Sequence, residues 1–190
     1  FTGAIGAGSI YGGDGADTLA FSGAVVSGAT IDQGTGNDSL YFAAGLTGTT
    51  LTGSGADTFN LQGQNTAVFG ALSTAASQVS FGSNADMATF TGAIGAGSIY
   101  GGDGADTLDF NAAVGAATID AGTGADSLNF SGAVTGATIS GLDTAGDVAI
   151  FSAENTMAFG AVGTGAQVSF GANADMATFT GAIGAGSIYG

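Results

Sequence analysis

Lysine, arginine and histidine are all absent from these 190 residues, which carry 14 aspartates and the lone Glu154 for a formal net charge of −15. With no cationic side chain, the chain has nothing to set against a phosphate backbone, so a nucleic-acid partner is excluded on charge. Cysteine is also missing, which removes disulfides and thiolate metal sites. The lack of histidine removes the commonest transition-metal ligand and general base. Only oxygen donors remain for a metal, and an all-oxygen donor set points to calcium. Proline is absent, as suits a chain whose backbone N–H groups all serve as ladder donors. No apolar run approaches the roughly 18 residues of a membrane-spanning helix, because Gly, Ser, Thr or Asp breaks every cluster. Neither end resembles a targeting segment, and the first residue is Phe1 rather than methionine, so the sequence reads as a window on something longer. One-signed charge usually accompanies disorder. Here 45% of the residues are hydrophobic and mean hydropathy is +0.41, which predicts a folded chain that needs help with its charge.

What is present is repetition. FTGAIGAGSIY begins at Phe1, Phe90 and Phe179, two successive steps of 89 residues. This divides the chain into repeat 1 (1–89), repeat 2 (90–178) and the start of a third (179–190). Within repeat 1 a shorter beat separates coils 1–20, 21–41 and 42–60 from a longer piece, 61–89. Repeat 2 divides likewise into 90–109, 110–129, 130–150 and a longer piece, 151–178. In each coil an Ile or Leu precedes a glycine-rich turn, and a Leu and a Phe two residues apart follow it, as in Ile119, Leu128 and Phe130. Period-two alternation of this kind predicts strand, and 38 glycines with abundant Thr and Ser oppose helix. The predicted fold is all-β: a parallel β-solenoid, β-roll-like, with coils of about 20 residues stacked at ~4.8 Å. The open pattern at both termini predicts a slice of a longer array or filament, with an axial repeat of four to five rungs, on the order of 20 Å.

The turns carry the chemistry. GGDGADTLA (12–20) and GGDGADTLD (101–109) match the nonapeptide G-G-x-G-x-D-x-U-x at every specified position. QGTGNDSLY (33–41), TGSGADTFN (52–60) and AGTGADSLN (121–129) lack only the first glycine. FGSNADMAT (81–89) and FGANADMAT (170–178) also exchange the second motif glycine for Asn84 and Asn173, an exchange explained by asparagine's tolerance of positive φ. In GLDTAGDVA (141–149) the turn is longer and Ala145 stands where glycine is expected. Stacking is expected to place the motif aspartates in one column about a rung apart, where like charges repel and a divalent ion between rungs would bind them together. The alternative is a metal-free ladder of Asx turns.

These motifs resemble the RTX-type calcium-binding repeats, and the coil pattern is similar to the calcium-dependent β-solenoid of giant bacterial RTX adhesins. The resemblance implies calcium held by the motif aspartates Asp17, Asp38, Asp57, Asp106 and Asp126, and further by Asp86, Asp175 and Asp147. It also implies carbonyl ligands from the turn glycines: Gly13, Gly15, Gly34, Gly36, Gly53, Gly55, Gly102, Gly104, Gly122 and Gly124. With one motif per coil, the calcium-binding turns are expected along one edge only. Asp14, Asp32, Asp103 and Asp120 read as solvated turn residues. The Thr slot of the turn is irregular (Asp14, Thr35, Ser54, Ser83, Asp103, Thr123, Ala172), which argues against a binding array built on the turns.

An enzyme is not expected. Lyase or epimerase chemistry on a β-helix needs a cationic or imidazole partner, and the aspartates recur as a ladder rather than as one asymmetric pair suited to glycoside hydrolysis. The expected function is a structural repeat segment of a secreted or cell-surface bacterial protein, a calcium-stapled extender, fibre or surface coat. Its partners would be calcium ions and further copies or repeats. An adhesive module recognising glycan, ice or a cell surface is the alternative. The longer pieces 61–89 and 151–178 are expected to bulge from the rod as contact sites.

Overall fold

The computed structural model describes residues 1–190 as a single stack of parallel strands. In chain order, repeat 1 supplies β1 (Gly8–Tyr11), β2 (Thr18–Phe21), β3 (Ala29–Thr35), β4 (Ser39–Phe42), β5 (Thr47–Ser54), β6 (Thr58–Leu61), β7 (Thr66–Phe69), β8 (Gln78–Phe81) and β9 (Met87–Phe90). Then follow β10 (Ser98–Tyr100), β11 (Thr107–Phe110), β12 (Thr118–Asp120), β13 (Ser127–Phe130), β14 (Thr135–Ser140), β15 (Val148–Phe151), β16 (Thr156–Phe159), β17 (Gln167–Phe170), β18 (Met176–Phe179) and β19 (Ser187–Tyr189). Odd-numbered strands form a ten-stranded sheet and even-numbered strands a nine-stranded sheet, each in sequence order. A rung is one strand from each sheet, so the protein has nine and a half rungs of about 20 residues. The expected β-solenoid is the fold.

The alternation read from sequence sets which side chains face inward. Ile10, Ile31 and Leu51 stack in register in the ten-stranded sheet, while Leu19, Leu40 and Phe59 do so in the nine-stranded one. All 38 buried apolar residues form one continuous core. Burying each Phe contributes roughly 1.5–3 kcal/mol, and ring stacking adds about 0.5–1.5 kcal/mol per pair. The rings pile directly on one another: Phe90, Phe110, Phe130 and Phe151 stack with centroids 4.5–4.9 Å apart.

The longer pieces do not bulge. Residues 61–89 provide β7, β8 and most of β9, and the corresponding strands of 151–178 are β16, β17 and most of β18, all inside the stack. Each 89-residue repeat therefore spans nine strands, an odd number, and so four and a half rungs. At ~4.8 Å per rung this is an axial step of about 22 Å. The half rung turns each repeat over. Identical stretches alternate between sheets, with Ser9–Tyr11 in the ten-stranded sheet, Ser98–Tyr100 in the nine-stranded sheet and Ser187–Tyr189 in the ten-stranded sheet again. Successive repeats are thus related by a half-turn about the rod axis plus a translation along it. The phenylalanine ladder follows, running Phe1, Phe21 and Phe42 beside the nine-stranded sheet and then Phe69, Phe90 and Phe110 beside the other. Leu61 follows Phe42 where the first ladder ends, and Phe59, from the neighbouring inward row, meets Phe69 edge-on across the core at 5.3 Å.

Candidate metal centre

Two edges connect the sheets. On the first edge the chain passes from the ten-stranded to the nine-stranded sheet, and on the second it returns. The turns carrying Asp17, Asp38 and Asp57 lie on the first edge, between odd and even strands. Those carrying Asp86, Asp106, Asp126 and Asp147 lie on the second, and that of Asp175 on the first again. The expected single column on one edge is therefore replaced by separate columns on alternate edges. The cause is the half rung, which moves the same motif to the opposite side in every repeat. Where the aspartates leave an edge, apolar residues continue it: Val25 and Leu46 precede the second-edge column, and Ile94, Val114 and Val134 occupy the first edge beside it.

Every motif aspartate turns its side chain into the stack. The main-chain N–H of Asp17 donates to Asp38 Oδ1 (2.8 Å), and that of Asp38 donates to Asp57 Oδ1 (3.2 Å). On the second edge the same bond joins Asp86 to Asp106 (2.8 Å), Asp106 to Asp126 (2.9 Å) and Asp126 to Asp147 (3.0 Å). One carboxylate oxygen of Asp38, Asp57, Asp106, Asp126 and Asp147 is thereby satisfied by the rung below. Oδ2 of Asp17, Asp38, Asp86, Asp106, Asp126 and Asp175 is buried with no hydrogen-bond partner.

Such a ladder is electrostatically unbalanced, because a buried carboxylate without a counter-charge costs several kcal/mol. Burial pushes the Asp106 carboxyl up to about 7, with its hydrogen bond from Asp86 opposing and the charges of Asp126 and Asp86 adding to the rise. Burial likewise lifts Asp86 to about 6 and Asp126 to about 6, and raises Asp57.

The column ends differ from its middle. Asn65 occupies the slot below Asp86, where its Oδ1 accepts the Leu46 N–H (3.1 Å) and its Nδ2 donates to Asp86 Oδ1 (2.9 Å). An amide thus closes the ladder without a counter-ion. Asn155 does the same beneath Asp175, accepting from the Val134 N–H (3.0 Å) and donating to Asp175 Oδ1 (2.8 Å). At the upper end Asp147 Oδ2 accepts the Thr144 N–H (2.8 Å), while Thr144 Oγ1 donates to its Oδ1 (3.0 Å). The lengthened turn supplies its own donors, so Asp147 is a self-capped terminus. On the first edge Ser77 stands above Asp57 and bonds to Thr74 (2.8 Å) and to Gly55 O (3.1 Å), closing that column with a neutral residue.

The turn glycines are required by both conformation and space. Gly13, Gly15, Gly34, Gly36, Gly55, Gly102, Gly104, Gly122 and Gly124 all have positive φ. At Gly124, φ is +132° and a Cβ would overlap the carbonyl oxygen of Gly104 in the rung below. Gly53 lacks positive φ, because its turn is one residue shorter and the register shifts between Asp32/Thr52 and Thr35/Ser54. Asn84 and Asn173 do not copy glycine either, since no residue other than glycine has positive φ. Their amides instead donate to Gln62 O (3.2 Å) and Ser152 O (3.0 Å) of the rung below. Asp14 and Asp103 face solvent and accept hydroxyl bonds from Thr35 and Thr123, both 2.8 Å.

No three carboxylates converge on one point. The donor set available to a cation is one or two inward Oδ2 atoms with main-chain carbonyls of the adjoining turns, neutral oxygens of the kind that calcium accepts. Beside Gly12 the point where a side chain would begin lies 3.1 Å from Asp17 Oδ2 and against the carbonyl oxygen of Gln33. Beside Gly101 the same point lies 3.0 Å from Asp106 Oδ2 and against that of Ala121. The unpartnered oxygens and these convergent carbonyls fit a hard divalent ion.

Two features escaped the sequence reading. One is Gln33, fully buried inside the first-edge column. The other is a hydroxyl-rich row on the strands of the nine-stranded sheet, in register from Thr18 through Ser39, Thr58, Gln78, Ser98, Thr118, Thr138 and Ala158 to Thr178. The row was only partly legible, since T-L, S-L and T-I pairs recur at Thr18, Ser39, Thr118 and Thr138 but Gln78 and Ala158 interrupt it. Comparison with protein-family models, curated proteins and solved structures finds no match to this chain.

Proposed function

We propose that this chain is a structural repeat segment of a secreted or cell-surface bacterial protein, a solenoid stapled by calcium that serves as extender, fibre or coat. The observation that carries this reading is the set of buried, unpartnered Oδ2 atoms repeated rung after rung in a chain with no cationic side chain. A folded column of this kind needs a counter-ion, and the oxygen donors around it favour calcium over softer metals. Each repeat advances the rod by about 22 Å and turns its staples to the opposite edge, so tension along the rod is carried on both sides. A calorimetric titration at neutral pH tests the reading. Several calcium ions should bind per chain, with magnesium failing to replace them because it demands octahedral geometry and sheds water reluctantly. Saturation by magnesium at equal affinity, or no uptake of either ion, would refute it.

The hydroxyl row of the nine-stranded sheet supports a second reading, an adhesive face for glycan or another ordered surface. Seven of its nine positions are Thr or Ser, at the spacing of the rungs. Thr118→Glu with Thr138→Glu should abolish retention on a polysaccharide matrix while leaving the calcium titration unchanged. Absence of any retention by the unmodified chain would remove this reading and leave the structural one standing.

A further inference from the structure

Gln33 is the one side chain in an aspartate column whose polar atoms are all buried and unpartnered. It is 0% exposed, and neither its Oε1 nor its Nε2 has a hydrogen-bond partner. The equivalent slot holds Gly12 one rung below, and Gly101 and Ala121 in the second repeat. A glutamine with both polar groups buried and unsatisfied is unfavourable there, so its neighbours should explain it.

They do so through Gly53. The point where a side chain would begin on Gly53 lies 2.8 Å from Gln33 Oε1 and 2.9 Å from Asp57 Oδ2. Beside Gly12 and Gly101 the corresponding point meets an aspartate Oδ2 and a main-chain carbonyl descending from the next rung. No such carbonyl is among the nearest atoms at Gly53. Asp57 is the last aspartate of its column, and above it the chain leaves the motif for residues 70–77. The turn at 52–57 is also one residue shorter than the one below, which opens the space that the Gln33 side chain enters.

We propose that Gln33 is a metal ligand particular to this rung, its side-chain carbonyl oxygen replacing the main-chain carbonyl that the rung above does not supply. This rests on the calcium reading of the columns. With Oε1 committed to the cation beside Asp57, the buried amide oxygen is satisfied, and the last site of the first-edge column is complete without a following RTX-like turn.

The test uses the whole chain at neutral pH, with calcium followed by calorimetry and terbium(III) as a luminescent substitute. Gln33→Met keeps the length of the side chain and removes the oxygen; Gln33→Glu keeps the oxygen and adds charge. Gln33→Met should lose one calcium per chain or weaken one site at least tenfold, and terbium lifetimes should report an additional water on one ion. Gln33→Glu should retain the full count with one site tightened. An unchanged count, affinity and hydration in Gln33→Met overturns the assignment. If Gln33→Met fails to fold even in calcium, Gln33→Glu decides: a lost or weakened site overturns the proposal and a tightened one sustains it. Failure of the unmodified chain to take up calcium would defeat the underlying reading as well, whereas normal uptake with an indifferent Gln33→Met defeats this assignment alone.

Discussion

In chelator at pH 7.5 the chain is expected to lose its cooperative β-structure, and millimolar calcium is expected to restore it, as followed by circular dichroism. Metal that binds only the folded state adds its binding energy to folding. At a hundredfold excess over Kd each site contributes ~2.7 kcal/mol, so three or four sites contribute roughly 8–11 kcal/mol. That is comparable with the whole stability of an ordinary domain, about 5–15 kcal/mol. The chelated chain should also depend on pH in the direction opposite to most acidic proteins. Asp86, Asp106 and Asp126 have folded-state values raised to about 6, 7 and 6 from 3.8. The folded state therefore binds more protons than the unfolded state between these limits, and stability must fall as pH rises through that window. Without calcium the chain should be most stable near pH 4 and weaken progressively toward pH 7.5. Calcium should reverse the trend, since it competes with the proton for the same oxygens. Identical melting curves with and without chelator across this range would sink the metal reading and favour a metal-free ladder.

Asp106→Asn is expected to change sign with calcium. In chelator an asparagine at this position can repeat what Asn65 does two rungs below, accepting from Asp86 N–H through Oδ1 and donating through Nδ2 to Asp126 Oδ1. It removes the carboxyl whose burial is most unfavourable, so the apo chain should gain about 1–3 kcal/mol. In saturating calcium the same change deletes an inward Oδ2 in the middle of a column. Affinity at the adjoining sites should fall at least tenfold, which is about 1.4 kcal/mol for each site. Asp147→Asn provides the contrast. Its carboxylate already accepts from Thr144 and Asp126, so its effect should be similar with and without calcium. Equal calcium dependence for the two variants in denaturant melts would show that the mid-column carboxylates have no privileged role.

How far these sites could be read before folding depends on the range of the interaction that defines them. Asp126 was legible because Gly122 and Gly124 lie in its own turn and a local turn conformation is written in local residues. That Asp147 stands in a different, longer turn was legible for the same reason, through Ala145 and the extra residue. Asn65 and Gln33 were not, because neither stands in an intact motif and each acquires its role only from a residue about one coil away. Asn84 was misjudged as a stand-in for glycine's backbone, when its amide instead reaches Gln62 O in the adjacent rung.

By itself the sequence determined the strands of the regular coils, the inward rows of Ile, Leu and Phe, the glycine hinges and the 89-residue period. These are consequences of period-two alternation and of backbone conformations available only to glycine, and they act over a few residues. Tertiary structure alone decided that the period contains an odd number of strands. Parity is a property of the whole stack: whether the piece 61–89 adds two strands, as each ordinary coil does, or three is settled by the core those strands bury, not by their own pattern. Because it adds three, β7, β8 and β9, each repeat ends half a coil out of phase, and the same GGDGAD turn lies on one edge at Asp17 and on the opposite edge at Asp106.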